Sequence, residues 1–371
     1  MGTLFDYVDW RGELSFREAP LNEVDALIFS LISYVDFAGI VPQDPKEASV
    51  PIQAAANAFF AKNPDLKRYS IGLIVPKGIL RLLRALKDTR RFRSVEMCAY
   101  VNDIDLDRQM QFSAITFLPG DGSTVVTYRG TDDSLIGWKE NFNMSFLPVV
   151  PAQLEAAKYL DLLAQHTTGD VYVTGHSKGG NLSVYATVNC APEVQRRLVQ
   201  AWSFDGPGFG HNILEDPSYL HMRPIIKNIL PQSALVGMLL EHEELYTVVK
   251  SRQTGLLQHD GLTWQVKGSC FVRAEALTEE SLRTAKNLHA WIHEMTPAER
   301  EKFVEALYQL LSVDQATTLS DLAATKTRWL AKRRDLDPIA TKTITATLNA
   351  LISLSAKNFV GDLFKKQTKK K

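Results

Sequence analysis

The segment Val171-Tyr-Val-Thr-Gly175-His-Ser177-Lys-Gly179-Gly180-Asn-Leu182 constrains this chain more than any other stretch. A β-branched run feeds a Gly-x-Ser-x-Gly turn, and an apolar helical pattern (Leu182, Tyr185, Ala186) follows it. Strand and helix backbones nearly collide at so sharp a turn, which demands small residues on both sides of the serine. The spacing predicts Ser177 Oγ exposed at the top of a sheet, with the next backbone N–H and a helix N-terminus facing a developing oxyanion. G-x-S-x-G also arises by chance, in roughly one chain in ten of this size at ordinary Gly and Ser usage. The strand before it and the helix pattern after it argue for a nucleophile elbow.

An elbow needs a parallel α/β sheet around it, and the chain divides accordingly. Residues 1–94 read as a helical region packed on the core: Val24, Leu27, Ile28, Leu31 and Ile32 share one face of Asn22–Val35, and Ile79, Leu82, Leu83 and Leu86 share one of Pro76–Lys87. Residues 95–275 alternate β-rich runs with helices, the pattern of an α/β core. Within them Ser113–Leu118 and Thr124–Arg129 flank Pro119-Gly-Asp-Gly122, a hairpin signal. A helix over Pro151–Gln165 then leads into the strand Val171–Thr174. Residues 276–371 are helical again. The capping box Thr296-Pro297-Ala-Glu299 opens a helix carrying Phe303, Leu307, Leu310 and Leu311, with two more expected over Ser320–Arg333 and Pro338–Lys357.

A serine nucleophile needs a general base, and the base needs an orienting acid, in the chain order Ser, acid, His for elbow hydrolases. Six histidines follow Ser177. His289 and His293 share a helix face, and His242 lies in the polar run Glu241-His-Glu-Glu. His259 sits in Gly255-Leu-Leu-Gln-His259-Asp260-Gly261, between the strand-like Leu245–Lys250 and Thr263–Val266, and is the expected base. Asp205, ending the strand Ala201-Trp-Ser-Phe204, is either the acid or the shaper of the Asp-Gly-Pro-Gly turn. Asp260 is the poorer candidate, since sequence neighbours rarely point side chains at each other. The oxyanion donors are expected to be the Lys178 N–H and Thr131, in the loop Tyr128-Arg129-Gly130-Thr131-Asp132-Asp133. Lys178 opposes the helix macrodipole, so its ammonium either meets an anionic substrate group or simply reaches water.

These residues resemble a known family. Tyr-Arg129-Gly-Thr131-Asp-Asp, Trp138, Asn141-Phe, Gly-His-Ser177-Lys-Gly-Gly-Asn-Leu and Ser-Phe-Asp205-Gly-Pro-Gly resemble the class 3 lipase group. Adding Asp6-Tyr-Val-Asp-Trp10-Arg-Gly, Asn22-Glu-Val-Asp-Ala-Leu and Gln258-His259-Asp260, the chain looks more like a bacterial lipase-like branch known chiefly as a domain of unknown function, over roughly residues 4–270. The resemblance implies an α/β-hydrolase fold with Ser177 as nucleophile, His259 as base and Thr131 in the oxyanion hole. Class 3 lipases carry their acid one strand later, where Asn228-Ile-Leu-Pro231-Gln-Ser233-Ala-Leu has no carboxylate. Either Asp205 has taken that role or the triad is incomplete.

The expected function is therefore a serine hydrolase cleaving an ester or thioester, acyl lipids included, with apolar Ser233–Leu240 either lining an acyl pocket, forming a lid or serving as core. The alternatives are a catalytically degenerate hydrolase fold that binds a lipid or protein partner, and an amidase or peptidase. With formal net charge +0 and pI near 7.1, no basic field points to nucleic acid. The one charge run, Lys365-Lys366-Gln-Thr-Lys369-Lys370-Lys371, reads as a solvated end or a weak contact for anionic membrane surfaces. Apolar stretches are too short to span a bilayer. No metal-ligand spacing or phosphate-binding loop occurs, so no cofactor is implied. Cys98, Cys190 and Cys270 are scattered, and no secretory signal is visible, so a cytoplasmic location is expected.

Overall fold

The computed structural model describes residues 1–66, 69, 75–76, 78–241, 245–312 and 316–324. The basic tail, the Pro338–Lys357 helix, most of the Ser320–Arg333 helix and His242 lie outside them.

An eight-stranded sheet runs in sequence order through β1 (Val50–Pro51), β2 (Glu96–Asp105), β3 (Met110–Leu118), β4 (Thr124–Tyr128), β5 (Val171–His176), β6 (Leu198–Phe204), β7 (Ile226–Pro231) and β8 (Tyr246–Val249). Pairings up to β3–β4 are antiparallel, and those from β4–β5 onward are parallel. The hairpin falls where the turn residues put it, with Ala114–Phe117 paired to Val125–Tyr128. Every residue of β4 is buried, as expected of a strand covered on both faces. Among the described residues four helices precede the parallel strands: α1 (Leu4–Arg11), α2 (Glu23–Ile32), α3 (Ile52–Lys62) and α4 (Gly78–Leu86). Between β4 and β5 run α5 (Leu135–Asn143) and α6 (Pro151–His166), and α7 (Lys178–Asn189) links β5 to β6. The architecture is an α/β-hydrolase-like fold.

The sheet sits between two helical layers. Val125 points to the side of α2 and α4, where Leu27, Ile28, Leu31, Ile79 and Leu83 are buried. Val126 points to the other, with Ala156 and Leu160 of α6 and Leu182 and Ala186 of α7. Region 1–94 is thus a face of the core and also supplies the edge strand β1, which its helical periodicity did not announce. Asn22 caps α2, its side chain accepting from Val24 N and Asp25 N.

One buried ion pair anchors this layer. Arg91 donates from Nε to Asp25 Oδ1 at 2.9 Å and from Nη2 to Oδ2 at 2.6 Å, both side chains being fully buried. Tyr7 donates to the same Oδ1 at 2.8 Å, and the guanidinium lies 3.9 Å from the Phe16 ring centroid. Removing one partner strands a charge in the interior. Asp25→Ala is expected to lower the urea-unfolding free energy by about 3–5 kcal/mol; a loss below about 1 kcal/mol would show the pair to be dispensable.

Candidate active site

Ser177 sits at φ 59, ψ −133, between the end of β5 and the start of α7. Few non-glycine residues tolerate this conformation, and it persists only where surroundings enforce it. The enforcement is close approach: a Cβ on Gly175 would land on the Gly179 carbonyl oxygen, and one on Gly179 on the Tyr128 carbonyl oxygen. Ser177 N donates to Phe204 O at 2.9 Å, tying the turn to β6.

The Lys178 side chain corrects the sequence expectation. Its Nζ neither meets an anionic ligand nor reaches water, but donates to Glu140 Oε2 at 2.7 Å and Gln111 O at 2.6 Å, with both charged side chains buried. Glu140 also accepts from Gln111 N and Ala152 N. The cation opposing the helix dipole is neutralised inside the protein, and it staples the start of α7 to α5 and β3.

Asp205 follows β6 at φ 47 and is fully buried. Its Oδ1 accepts from Gly237 N at 3.1 Å, and its Oδ2 lies 2.6 Å from His259 Nδ1. His259 ends a short 3-10 helix, Gly255–His259, after β8 rather than a plain loop. The neighbouring Gln258 is fixed from every side: its Oε1 accepts from Ser233 N, its Nε2 donates to Gln253 O, and its carbonyl accepts from Trp264 Nε1. The segment after β7, where class 3 lipases carry their acid, here holds Gln258. Asp260 caps Leu262 N instead of bonding His259.

Thr131, after β4, is buried, and its Oγ1 accepts from Asn141 Nδ2 at 2.7 Å. Gly130 allows the loop to touch the elbow, for a Cβ there would meet Tyr34 Oη, His176 O and Ser177 Cβ. Ser177, Thr131, His259 and Lys178 all border one cavity of about 430 Å³. Its apolar walls include Trp138 and Phe142 of α5 and residues from four other places. Leu31 and Ile79 belong to the N-terminal layer, and Val236, Leu239 and Leu240 follow β7. Leu256 and Leu257 precede His259, while Leu288, Ile292, Phe303 and Val304 come from the helices Glu279–Glu294 and Pro297–Leu311. Ser233–Leu240 therefore contributes a wall, and the C-terminal helices cover the site. The Pro297–Leu311 helix docks on α5, with Leu307 and Leu311 against Leu135 and Glu305 paired to Lys139 at 2.5 Å.

The other histidines fall elsewhere. His289 donates from Nε2 to Met238 O at 2.8 Å from the Glu279–Glu294 helix, His211 opens the short helix His211–Leu214, His293 lies on the His289 helix, and His221 is exposed. Sequence reasoning passed over His176 and Tyr34. His176 Nε2 lies 2.8 Å from His259 O, and its Nδ1 lies 3.4 Å from Tyr34 Oη. Its position inside Gly-x-Ser-x-Gly was the available signal. Among the described residues no group of His, Cys, Asp or Glu could hold a metal, and no helix is long and apolar enough to cross a membrane.

Residues 86–309 match the Mbeg1-like family, beginning and ending later than the sequence resemblance drawn above and taking in the C-terminal helices that wall the cavity. No curated protein matches. Among solved structures, the Rhizomucor miehei lipase–propeptide complex is similar at 17% identity and TM-score 0.32, over 46% of this chain and 59% of that one, so this chain spans less than two-thirds of its length. M37 lipase is similar at 15% identity and TM-score 0.34, over 72% of this chain and 90% of that one. Both likenesses are distant.

Burial pushes the Asp260 carboxyl up to about 6, against the opposing pull of the Leu262 N–H and His259. A carboxyl so raised binds its proton more tightly folded than unfolded. Its stabilising contribution is full below about pH 4 and lost as pH rises through about 6. The stability of Asp260→Asn relative to wild type should therefore grow by on the order of 2–3 kcal/mol from pH 4 to pH 7. Unfolding curves showing a pH-independent difference would contradict this.

Proposed function

This chain belongs to the Mbeg1-like family, and on that footing we propose that it is a lipase-type serine hydrolase cleaving an ester or thioester of an acyl chain. The observation that carries the proposal is the 2.6 Å contact of His259 Nδ1 with buried Asp205, beside a cavity that Ser177 also lines. Ser177 Oγ attacks the acyl carbonyl while His259 Nε2 takes its proton, and Asp205 fixes the ring's tautomer and stabilises the imidazolium. The oxyanion is held by the Lys178 N–H and by Thr131. Because Thr131 Oγ1 accepts from Asn141, its own O–H is left to donate. Each such donor is worth about 3 kcal/mol in the transition state. His259 returns the proton to the leaving alkoxide or thiolate, and water then releases the acyl group from Ser177 by the same steps in reverse roles. Ser177 Oγ and His259 Nε2 are not hydrogen-bonded to each other here, and relays of this kind commonly tighten only around substrate.

The carboxylate-free segment Asn228–Leu235 does not require a degenerate enzyme on this reading, because Asp205 takes the acid's role from β6. The apolar walls suit an acyl chain. The free thiols Cys98, Cys190 and Cys270 suit a reducing compartment, and a cytoplasmic location belongs to the same proposal.

Turnover of p-nitrophenyl esters from acetyl to palmitoyl tests it. Wild type is expected to hydrolyse them, with kcat/KM rising beyond acetyl, and Ser177→Ala to abolish hydrolysis. Asp205→Asn is expected to cut kcat by roughly 10⁴ with an unchanged melting temperature. No turnover of any ester by wild type, or full activity in Asp205→Asn, would contradict the mechanism.

A further inference from the structure

We propose that His176 is a positioning residue: braced by Tyr34, its ring holds the His259 main chain so that the His259 imidazole meets Asp205 and still faces the cavity. The proposal rests on His259 being the base. His176 ends β5 directly before Ser177, yet its side chain works on the loop that follows β8. A carbonyl can only accept, so the 2.8 Å contact with His259 O fixes the proton on His176 Nε2. Nδ1 is then an acceptor, facing the Tyr34 hydroxyl at 3.4 Å. That hydroxyl in turn abuts Gly130, the residue before Thr131.

One chain of contacts therefore joins the loops after β4, β5 and β8, which carry Thr131, Ser177 and His259. On either side of His259 the main chain is held by other contacts: Ser233 N and Gln253 O hold the Gln258 side chain, Trp264 Nε1 holds its carbonyl, and Asp260 accepts from Leu262 N and Thr263 Oγ1. The carbonyl between them, that of His259, is left to His176. The two imidazoles lie 4.6 Å apart, tilted by 35°, so a charged His176 would oppose a proton on His259. Burial prevents this, taking the His176 ring down to about 3 and keeping it neutral at any working pH. The donor pattern toward His259 therefore does not switch while His259 cycles.

Full-length His176→Phe, His176→Gln and Tyr34→Phe test the proposal by two readouts. One is the low-field NMR resonance of the His259 Nδ1 proton shared with Asp205, assigned by its absence in His259→Ala. The other is kcat and KM on a p-nitrophenyl ester. His176→Phe should broaden or move the resonance and lower kcat roughly tenfold or more, with KM within about twofold. His176→Gln, which keeps an N–H for the carbonyl, should restore most of both, and Tyr34→Phe should fall between. An unmoved resonance and unchanged kcat in His176→Phe would overturn the proposal, as would His176→Gln being as impaired as His176→Phe. If His176→Phe does not fold, an unmoved resonance in Tyr34→Phe overturns it. If wild type shows no turnover but the resonance responds as described, the hydrolase reading fails while the positioning role stands.

Discussion

Everything at this site depends on how closely three backbones approach at the elbow. Gly175 meets Gly179 across the turn, and Gly179 meets Tyr128 of β4, with no room for a Cβ at either glycine. That crowding forces Ser177 to φ 59 and aims it away from the sheet. It also brings the end of β4, and hence the Thr131 loop, against the start of α7. The approach of the Thr131 loop to the start of α7 is thereby set by sterics before any polar contact forms. Strain of this kind persists only because the sheet around it is over-determined, here by parallel pairing on both sides of β5.

Charge is handled by the same logic of enclosure. Arg91 with Asp25, Lys178 with Glu140, and His259 with Asp205 are contacts whose acidic side chains are essentially solvent-free. Losing the basic partner would leave a buried carboxylate uncompensated in each, so each locks a particular arrangement. The first fixes the N-terminal layer, the second fixes the start of α7 against α5, and the third fixes the His259 ring. Local rules break at Lys178 and at Asp205, whose φ is 47. At Lys178 the buried Glu140 carboxylate supplies the compensation.

The periodic and steric features were legible in the sequence because they are local. Turn chemistry gave the β3–β4 hairpin, apolar spacing gave α2 and α4, and glycine placement gave the elbow. Asp205 and His259 could be nominated from strand ends, yet their 2.6 Å approach spans 54 positions and no spacing rule contains it. Lys178 was misread because its partner Glu140 lies 38 positions earlier, on a helix whose inward face periodicity alone did not reveal. His176 was overlooked because the search for a base began after Ser177. What the C-terminal helices pack against was not legible, because amphipathic spacing tells which face is buried and not what it is buried against; Leu288, Ile292, Phe303 and Val304 turn out to wall the cavity.

A strained serine, an imidazole held through its ring by Asp205 and through its main chain by His176, and an apolar cavity walled in part by the Glu279–Glu294 and Pro297–Leu311 helices therefore meet at one place. Central to all of it is that Ser177 is a nucleophile. Treatment of the full-length protein with a fluorophosphonate, followed by peptide mass mapping, tests this most directly. The account predicts one covalent adduct, on the peptide containing Ser177, and none in Ser177→Ala. An unlabelled wild type, or an adduct on another residue that survives Ser177→Ala, would contradict it.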